Sequence, residues 1–367
     1  MTLNSRKFVS AAVMLLAAAT LAGAQASPAT TDQLAAAYRL HNIVTGVTTT
    51  ADGRVFALFS HLNEGPNTHV VELAKDGNAK LYPNAAWNSW KPGDDPGHSF
   101  VAVNALRMGP DGLLWIVDTG TRGFGTPVID SGAKLVVINV QKNVVRRVYS
   151  LETVATGMSY VDDIRFHGEN AYLTDAGIPG IIVLDLRTGK ARRVLDHDSS
   201  TTAHQPLRAS GGVLLNEGKE LYIHADQLEV SPDGKWFYYQ PACGPMYRIE
   251  TRYLDTPGLS AEEVSRHAQL WAETPSTGGT VIDADGNIYL SDLDTRTIYK
   301  FTPDGRKSVL LHDDRLDWVD AMWIDRQGNL WMPAAQLDQM AVFHKGISHV
   351  KYPVVIYTIP IGHRPQY

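Results

Sequence analysis

The sequence predicts an all-β protein, a six-bladed β-propeller of four-stranded blades, and three observations predict it. A tight turn followed by an aromatic or β-branched strand is written six times, five clear copies and one weak one. The copies recur every ~40 to 60 residues, the length of one blade. Only Ser260-Ala261-Glu262-Glu263-Val264 reads as helix, and then as a single turn.

The chain begins with a basic head, Arg6 and Lys7, and an almost wholly apolar run from Val9 to Gly23. Ala24-Gln25-Ala26 follows, with Ala22-Gly23-Ala24 as a second small-x-small site. These are the three parts of a secretory signal peptide, and the run is short against the ~20 residues of a membrane span. The expectation is a signal peptide over 1–26 and a single propeller domain over 27–367, secreted or periplasmic, free of the membrane after cleavage. Net charge is −6, and losing Arg6 and Lys7 takes it to −8. A mildly acidic surface with no basic run argues against nucleic acid and anionic lipid as partners. Cys243 is the only cysteine, so no intrachain disulfide forms. It reads as a small buried filler.

The five clear turns are Ala51-Asp52-Gly53, Pro110-Asp111-Gly112, Pro232-Asp233-Gly234, Ala284-Asp285-Gly286 and Arg326-Gln327-Gly328. Gly168-Glu169-Asn170 is the weak copy, with asparagine in the glycine's place. Asp-Gly and Asn suit the left-handed backbone of a hairpin. Third strands follow at Lys134 to Asn139, Ile181 to Leu186 and Thr297 to Phe301, and fourth strands at Val144 to Tyr149 and Ala191 to Leu195. Ring closure needs the two ends to meet. Ala37-Tyr38-Arg39-Leu40 and the Val354 to Ile359 strand are the segments expected to pair within one blade, removing the open edges.

In a propeller the first strand of each blade lines the central channel, and its start lies at one mouth. Eight residues before each turn glycine stand Thr45, Asn104, Asp226, Gly278 and Asp320, and the weak copy offers Asp162 or Asp163. Short polar residues at strand starts serve as turn formers. Convergent carboxylates, however, repel one another unless a cation sits between them, and oxygen ligands suit a hard divalent ion. Calcium, magnesium and zinc are the candidates. The second strands return to the same rim and end at Asp118, Asp175 and Asp292, which would either cap turns or meet a ligand. His224, two residues before Asp226, is a candidate general base, as are His98 and His61 in loops. Trp87, Trp90 and Phe124 would stack on a guest, or else anchor the loops that hold them.

No Gly-x-Ser-x-Gly elbow, His-Glu-x-x-His, Cys-x-x-Cys or Walker loop occurs. Gly120, Gly123 and Gly125 are wrongly spaced for a dinucleotide. No nucleotide or flavin is expected.

The segments "GRVFALF", "LYPNAAWN", "NALRMGPDGLLWIVDTG", "SYVDDIRFHGENAYLTDAG" and "DQLEVSPDGKWFYYQP" resemble the major royal jelly protein/Yellow family from about residue 38 to 360. The resemblance implies a secreted six-bladed propeller. Its members include pigment-pathway isomerases, nutritive proteins and small-amine binders, and the insect members carry cysteines that are missing here. A more distant resemblance is to the senescence marker protein/gluconolactonase propellers, which hydrolyse lactones with one divalent metal. It implies ligands at Asn104, Asp162 or Asp163, and Asp226. The Glu-Gly-Pro of those enzymes is replaced in the first blade by Thr45-Gly46-Val47, while Glu64-Gly65-Pro66 falls later, in a loop. Asp320 is then the residue that could complete the site. The expected partner is a small organic molecule at the channel mouth. The expected chemistry is metal-dependent lactone or ester hydrolysis with Asp226 activating water; the alternatives are amine or aromatic binding without turnover, and a dopachrome-type tautomerase.

Overall fold

A hairpin whose strands alternate inward and outward cannot bury both faces alone, and here six sheets solve this by stacking around an axis. The computed structural model describes Met1, residues 31–60 and residues 69–367. The run from Arg6 to Ala26 read as a signal peptide, His61 and Glu64-Gly65-Pro66 lie outside the described residues. Blade 1 comprises Val44–Thr49, Val55–Phe59, Val70–Leu73 and Ala79–Leu81. Blade 2 runs Val103–Met108, Leu114–Asp118, Lys134–Asn139 and Val144–Ser150. Blade 3 runs Val161–His167, Asn170–Asp175, Gly180–Asp185 and Ala191–Val194. Blade 4 holds Ala225–Val230, Trp236–Pro241, Met246–Glu250 and Gln269–Ala272. Blade 5 holds Thr277–Ile282, Ile288–Asp292, Thr297–Phe301 and Lys307–His312.

Blade 6 is made from both ends of the chain. Its order is Trp323–Ile324, Asn329–Ala334, Val354–Pro360 and finally Ala35–Leu40. Tyr38 pairs with Ile356 and Leu40 with Val354, the closure expected from the sequence. Apolar clusters fill the seams between blades: Phe56, Leu58, Leu106 and Ile116 between the first two, and Tyr172, Phe237 and Tyr239 between the third and fourth. An aromatic ring buried this fully removes roughly 150–250 Å² from water, worth a few kcal/mol at about 25 cal/mol/Å². Cys243 is buried, as expected of a filler.

The inner strands share one irregularity. Register slips by one residue between Val44 and Gly46, Val103 and Ala105, Val161 and Ile164, Ala225 and Leu228, and Thr277 and Thr280. In blade 6 the same slip separates the Val319–Ala334 bridge from the Trp323–Trp331 pair. A bulge adds a residue that the partner strand does not match and re-aims its side chain. Repeated at the same place in every blade, it turns one residue per blade toward the axis.

Two features depart from the sequence reading. The turn at Ala261–Ser265 is present, with Ser260 Oγ accepting from the Glu263 N–H at 3.1 Å. A second turn, Thr251–Asp255, precedes it. Asp255 there accepts from the Tyr172 hydroxyl at 2.5 Å and from Asn170 Nδ2 at 2.8 Å, which ties blade 4 to blade 3. Residues 195–224 also form two small hairpins, Arg208–Ala209 with Gly212–Val213 and Leu215–Asn216 with Lys219–Glu220. With residues 335–350 they build a cap over one channel mouth, around Leu207, Leu221, Trp318 and Met340. Among the described residues no helix is long and apolar enough to cross a membrane.

Candidate active site at the capped channel mouth

The six bulged positions, Thr45, Asn104, Asp162, Asp226, Gly278 and Asp320, form the floor of a cavity of 390 Å³. Asp162 and Asp226 are close enough to hydrogen-bond carboxyl to carboxyl. Asn104 Nδ2 donates to Asp162 Oδ1, and the Tyr160 hydroxyl donates to Asn104 Oδ1 at 2.9 Å. Asp320 stands further off. Its oxygens accept from the Ala321 N–H at 2.8 Å and from Trp318 Nε1 at 3.3 Å. Gly278 leaves the fifth position bare for a steric reason: a Cβ there would lie 2.4 Å from the Val319 carbonyl oxygen. Gly279 is equally constrained, 2.3 Å from that of Asp320.

Among the described residues the floor carboxyls lack a cationic partner and hold their protons to higher pH instead. Burial raises the Asp162 carboxyl well above the usual carboxylate range, and Asp226 pushes it further. Burial likewise pushes Asp226 up to about 6 and Asp320 up to about 8. The nearest cations are already taken. One layer deeper, Arg107 contacts Asp163 through Nη2 at 2.5 Å and donates to the Met322 carbonyl at 2.6 Å. Arg165 bonds Asp163 at 2.8 Å and holds Glu229 in a two-point clamp at 2.9 and 2.7 Å. Burial opposes the Asp163 charge, but the two guanidiniums overcome it and hold its carboxyl well below the ordinary range. Two arginines thus balance two carboxylates, and among the described residues no side-chain cation pairs with the floor carboxyls. Gln227 also borders the cavity; its Nε2 donates to Asp226 at 3.0 Å and to the Thr277 carbonyl at 2.8 Å, and its buried Oε1 has no hydrogen-bond partner among the described residues.

The major royal jelly protein family model matches residues 101–362. The chain belongs to the major royal jelly protein family. Among solved structures, a gluconolactonase from Xanthomonas campestris is 12% identical, with 89% of each chain covered and a TM-score of 0.54. A putative gluconolactonase is 11% identical, covering 91% of this chain and 93% of that one, with a TM-score of 0.55. A calcium-binding regucalcin from Agrobacterium tumefaciens is 13% identical, covering 93% and 95%, with a TM-score of 0.52. At such identities the likeness is one of fold. A search of curated proteins returned no match.

This royal jelly family propeller brings together Asn104, Asp162, Asp226 and Asp320 on one floor, with Phe124 in the wall above, and sets the remaining candidates to other work. The bulge decides between the two adjacent aspartates: Asp162 faces the cavity, and Asp163 is spent on Arg107 and Arg165. Asp118, Asp175 and Asp292, expected either to cap turns or to meet a ligand, cap turns. Asp118 accepts from the N–H groups of Val101, Ala102 and Gly120 and from Lys134 Nζ at 2.6 Å. Asp175 accepts from Tyr160, Gly177 and Ile178 N–H and from Arg193 at 2.7 Å. Asp292 accepts from Asp294 and Thr295. None of the three borders the cavity. His224 does not reach it either, because its Nδ1 accepts the Ala203 N–H at 3.1 Å beneath the cap. Trp87 packs on Phe100 at 5.1 Å and Trp90 donates to the Asp94 carbonyl at 3.2 Å, so both anchor the loop after blade 1. His98 lies in the same loop, exposed beside Asp95. Phe124 does line the cavity, edge-on to Tyr160 at 5.2 Å.

Tyr160 and Trp318 were not anticipated, although each stands two residues before a floor aspartate, in "YVD" and "WVD". That offset was the available signal. Leu337, Val342 and Phe343 come from the cap, which carries no repeat to announce it. A further group that could hold a cation, Asp283, Asp285 and His363, lies at the opposite, hairpin end of blade 5. There Asp283 already accepts from the N–H groups of Asp285 and Asn287, from Asn287 Nδ2 and from the Tyr289 hydroxyl. These bonds close the hairpin.

Proposed function

We propose that the channel mouth binds a hard divalent cation, calcium or magnesium, on Asn104, Asp162 and Asp226, and hydrolyses a small lactone or ester there. The observation that carries this reading is the convergence of three carboxyl groups and an amide on one cavity floor, with no side-chain cation paired to those carboxyls among the described residues. Every donor is oxygen, which suits calcium or magnesium better than zinc. The Asn104 amide, turned about its terminal bond, presents Oδ1 in place of Nδ2 to the same point. When bound, the cation supplies a Lewis acid for the carbonyl oxygen. Asp320, fixed by Ala321 and Trp318 and outside the Asp162–Asp226 contact, is the group placed to accept a proton from the attacking water once a nearby bound cation draws its carboxyl back to the charged form. This moves the role of base from Asp226, which the floor commits to its neighbour. The acyl C–O bond breaks, the proton passes to the departing oxygen, and a hydroxy acid or an acid and alcohol leave. The cap with Phe124, Trp318 and Phe343 shields the carbonyl from bulk water. The apolar run from Val9 to Gly23 behind Arg6 and Lys7, read as a signal peptide, supports a site of action outside the cytoplasm.

Elemental analysis of the purified, unchelated protein beside a chelator-treated control tests the reading. About one calcium or magnesium per chain, and lactone or ester turnover that disappears in Asp226→Asn, is the expected result. A second reading, binding of an organic amine without turnover, is favoured by the aromatic wall of Phe124, Trp318 and Phe343 above the carboxylates. Absence of bound metal, with no rise in Tm on adding either ion, would replace the first reading by the second.

A further inference from the structure

The cavity has one charged group that neither the floor nor the channel network uses. Arg122 lines it, is exposed, and has no hydrogen bond or ion pair among the described residues. Its neighbours are fixed. Thr121 is fully buried, with its Oγ1 3.1 Å from that of Thr119 and accepting the Gly123 N–H at 3.3 Å. Phe124 packs edge-on to Tyr160, whose hydroxyl reaches Asn104 on the floor. The segment from Thr121 to Phe124 is therefore held on both sides of the guanidinium, by Thr119 before it and by Tyr160 after it, while the guanidinium itself has no partner among the described residues. Arg107, the other arginine bordering the cavity, is committed to Asp163 and the Met322 carbonyl.

We infer that Arg122 is the specificity-determining residue of the site and that its substrate carries an anionic group, a carboxylate, on the side of the ring remote from the reacting carbonyl. The inference rests on the hydrolase reading for the word substrate, but the binding step stands without it. An anionic guest that pairs with this guanidinium is oriented with its charge at the rim and its carbonyl toward the floor. A planar guanidinium meets a carboxylate through two parallel N–H···O bonds, and such charge-assisted pairs exceed ordinary hydrogen bonds in strength. The apolar body between the two ends lies against Phe124 and Trp318. Charge at the rim thus fixes which way round the molecule enters.

The test compares γ-butyrolactone with its γ-carboxylate on the calcium- or magnesium-loaded protein and on Arg122→Gln and Arg122→Lys. In the wild type, kcat/KM favours the carboxylate by about tenfold or more, expressed in KM and weakened by salt. In Arg122→Gln the ratio between the two substrates falls to near one, and Arg122→Lys keeps part of the preference. Tryptophan fluorescence titrations with the same two compounds read binding alone. Tighter binding of the carboxylate that Arg122→Gln abolishes upholds the inference even if neither lactone is turned over, an outcome that would count against the hydrolase reading only. Lack of any preference for the carboxylate in both readouts, or a preference that survives in Arg122→Gln, overturns it.

Discussion

Asp118 and Asp162 are the same residue type at neighbouring strand ends, and their surroundings give them opposite work. Asp118 is fully buried with four donors around it, Lys134 among them, so its charge is matched and its role is to close blade 2. Removing it would strand a buried ammonium. Asp118→Ala is expected to cost about 3–5 kcal/mol, seen as a lower midpoint in urea denaturation. Asp162 faces an amide and another carboxyl, so burial and that neighbour keep its proton on until a cation arrives. Gly279 shows a third kind of constraint. Gly279→Ala would drive a methyl group into the Asp320 carbonyl, and a fall in Tm together with loss of lactone turnover is the expected outcome. At this scale the sequence showed which positions were polar, but not which were satisfied. The choice between Asp162 and Asp163 hung on a bulge of one residue, and a one-residue slip reverses the face a side chain takes. Local sequence does not encode that slip.

At the scale of elements, the blades and the cap differ in legibility for a physical reason. A blade strand repeats a turn and an alternation, so its position can be read from its neighbours in sequence. The cap owes its place to contacts between distant segments, such as Leu207 with Trp318 and Met340, and leaves no period. Its seam holds a second acidic pair, Asp317 and Asp338. Each has a buried Oδ1 without a hydrogen-bond partner, while Asp338 Oδ2 accepts from Ser210 and Gln339 at 2.7 Å. Arg296 reaches Asp317 at 3.4 Å and Asp314 at 4.0 Å, Lys351 also favours the charged form of Asp317, and His344 Nε2 lies 2.8 Å from the Asp338 carbonyl. Burial, and then Asp338, push Asp317 up to about 6. A folded-state value above the unfolded one contributes stability at low pH that is lost as pH rises through about 6. Amide exchange of residues 336–344 is therefore expected to be slower at pH 5 than at pH 7.5, after correction for intrinsic rates. Equal protection at both would mean that the pair does not hold the cap.

For the whole molecule, closure by Ala35–Leu40 is the step that makes a ring from six sheets. Without it the Val354–Pro360 strand is an open edge. Deleting residues 31–40 is expected to lower Tm and promote association, measurable by calorimetry and light scattering. The architecture was legible because six imperfect copies agree on one period. The site was legible in part, because the same period places the floor, whereas the cap and the rim arginine belong to no repeat. Near-symmetry of the blades also makes their differences count. Around the floor run threonine, amide, carboxyl, carboxyl, a bare glycine and carboxyl, in an order that no mirror plane leaves unchanged. The glycine gap is held open by the approach of the Val319 backbone, so drift cannot readily fill it. A ring of equivalent positions has thereby become a handed surface. Two enantiomers of a chiral guest would meet its carboxyls in opposite rotational order, and the propeller should accept one and turn away the other.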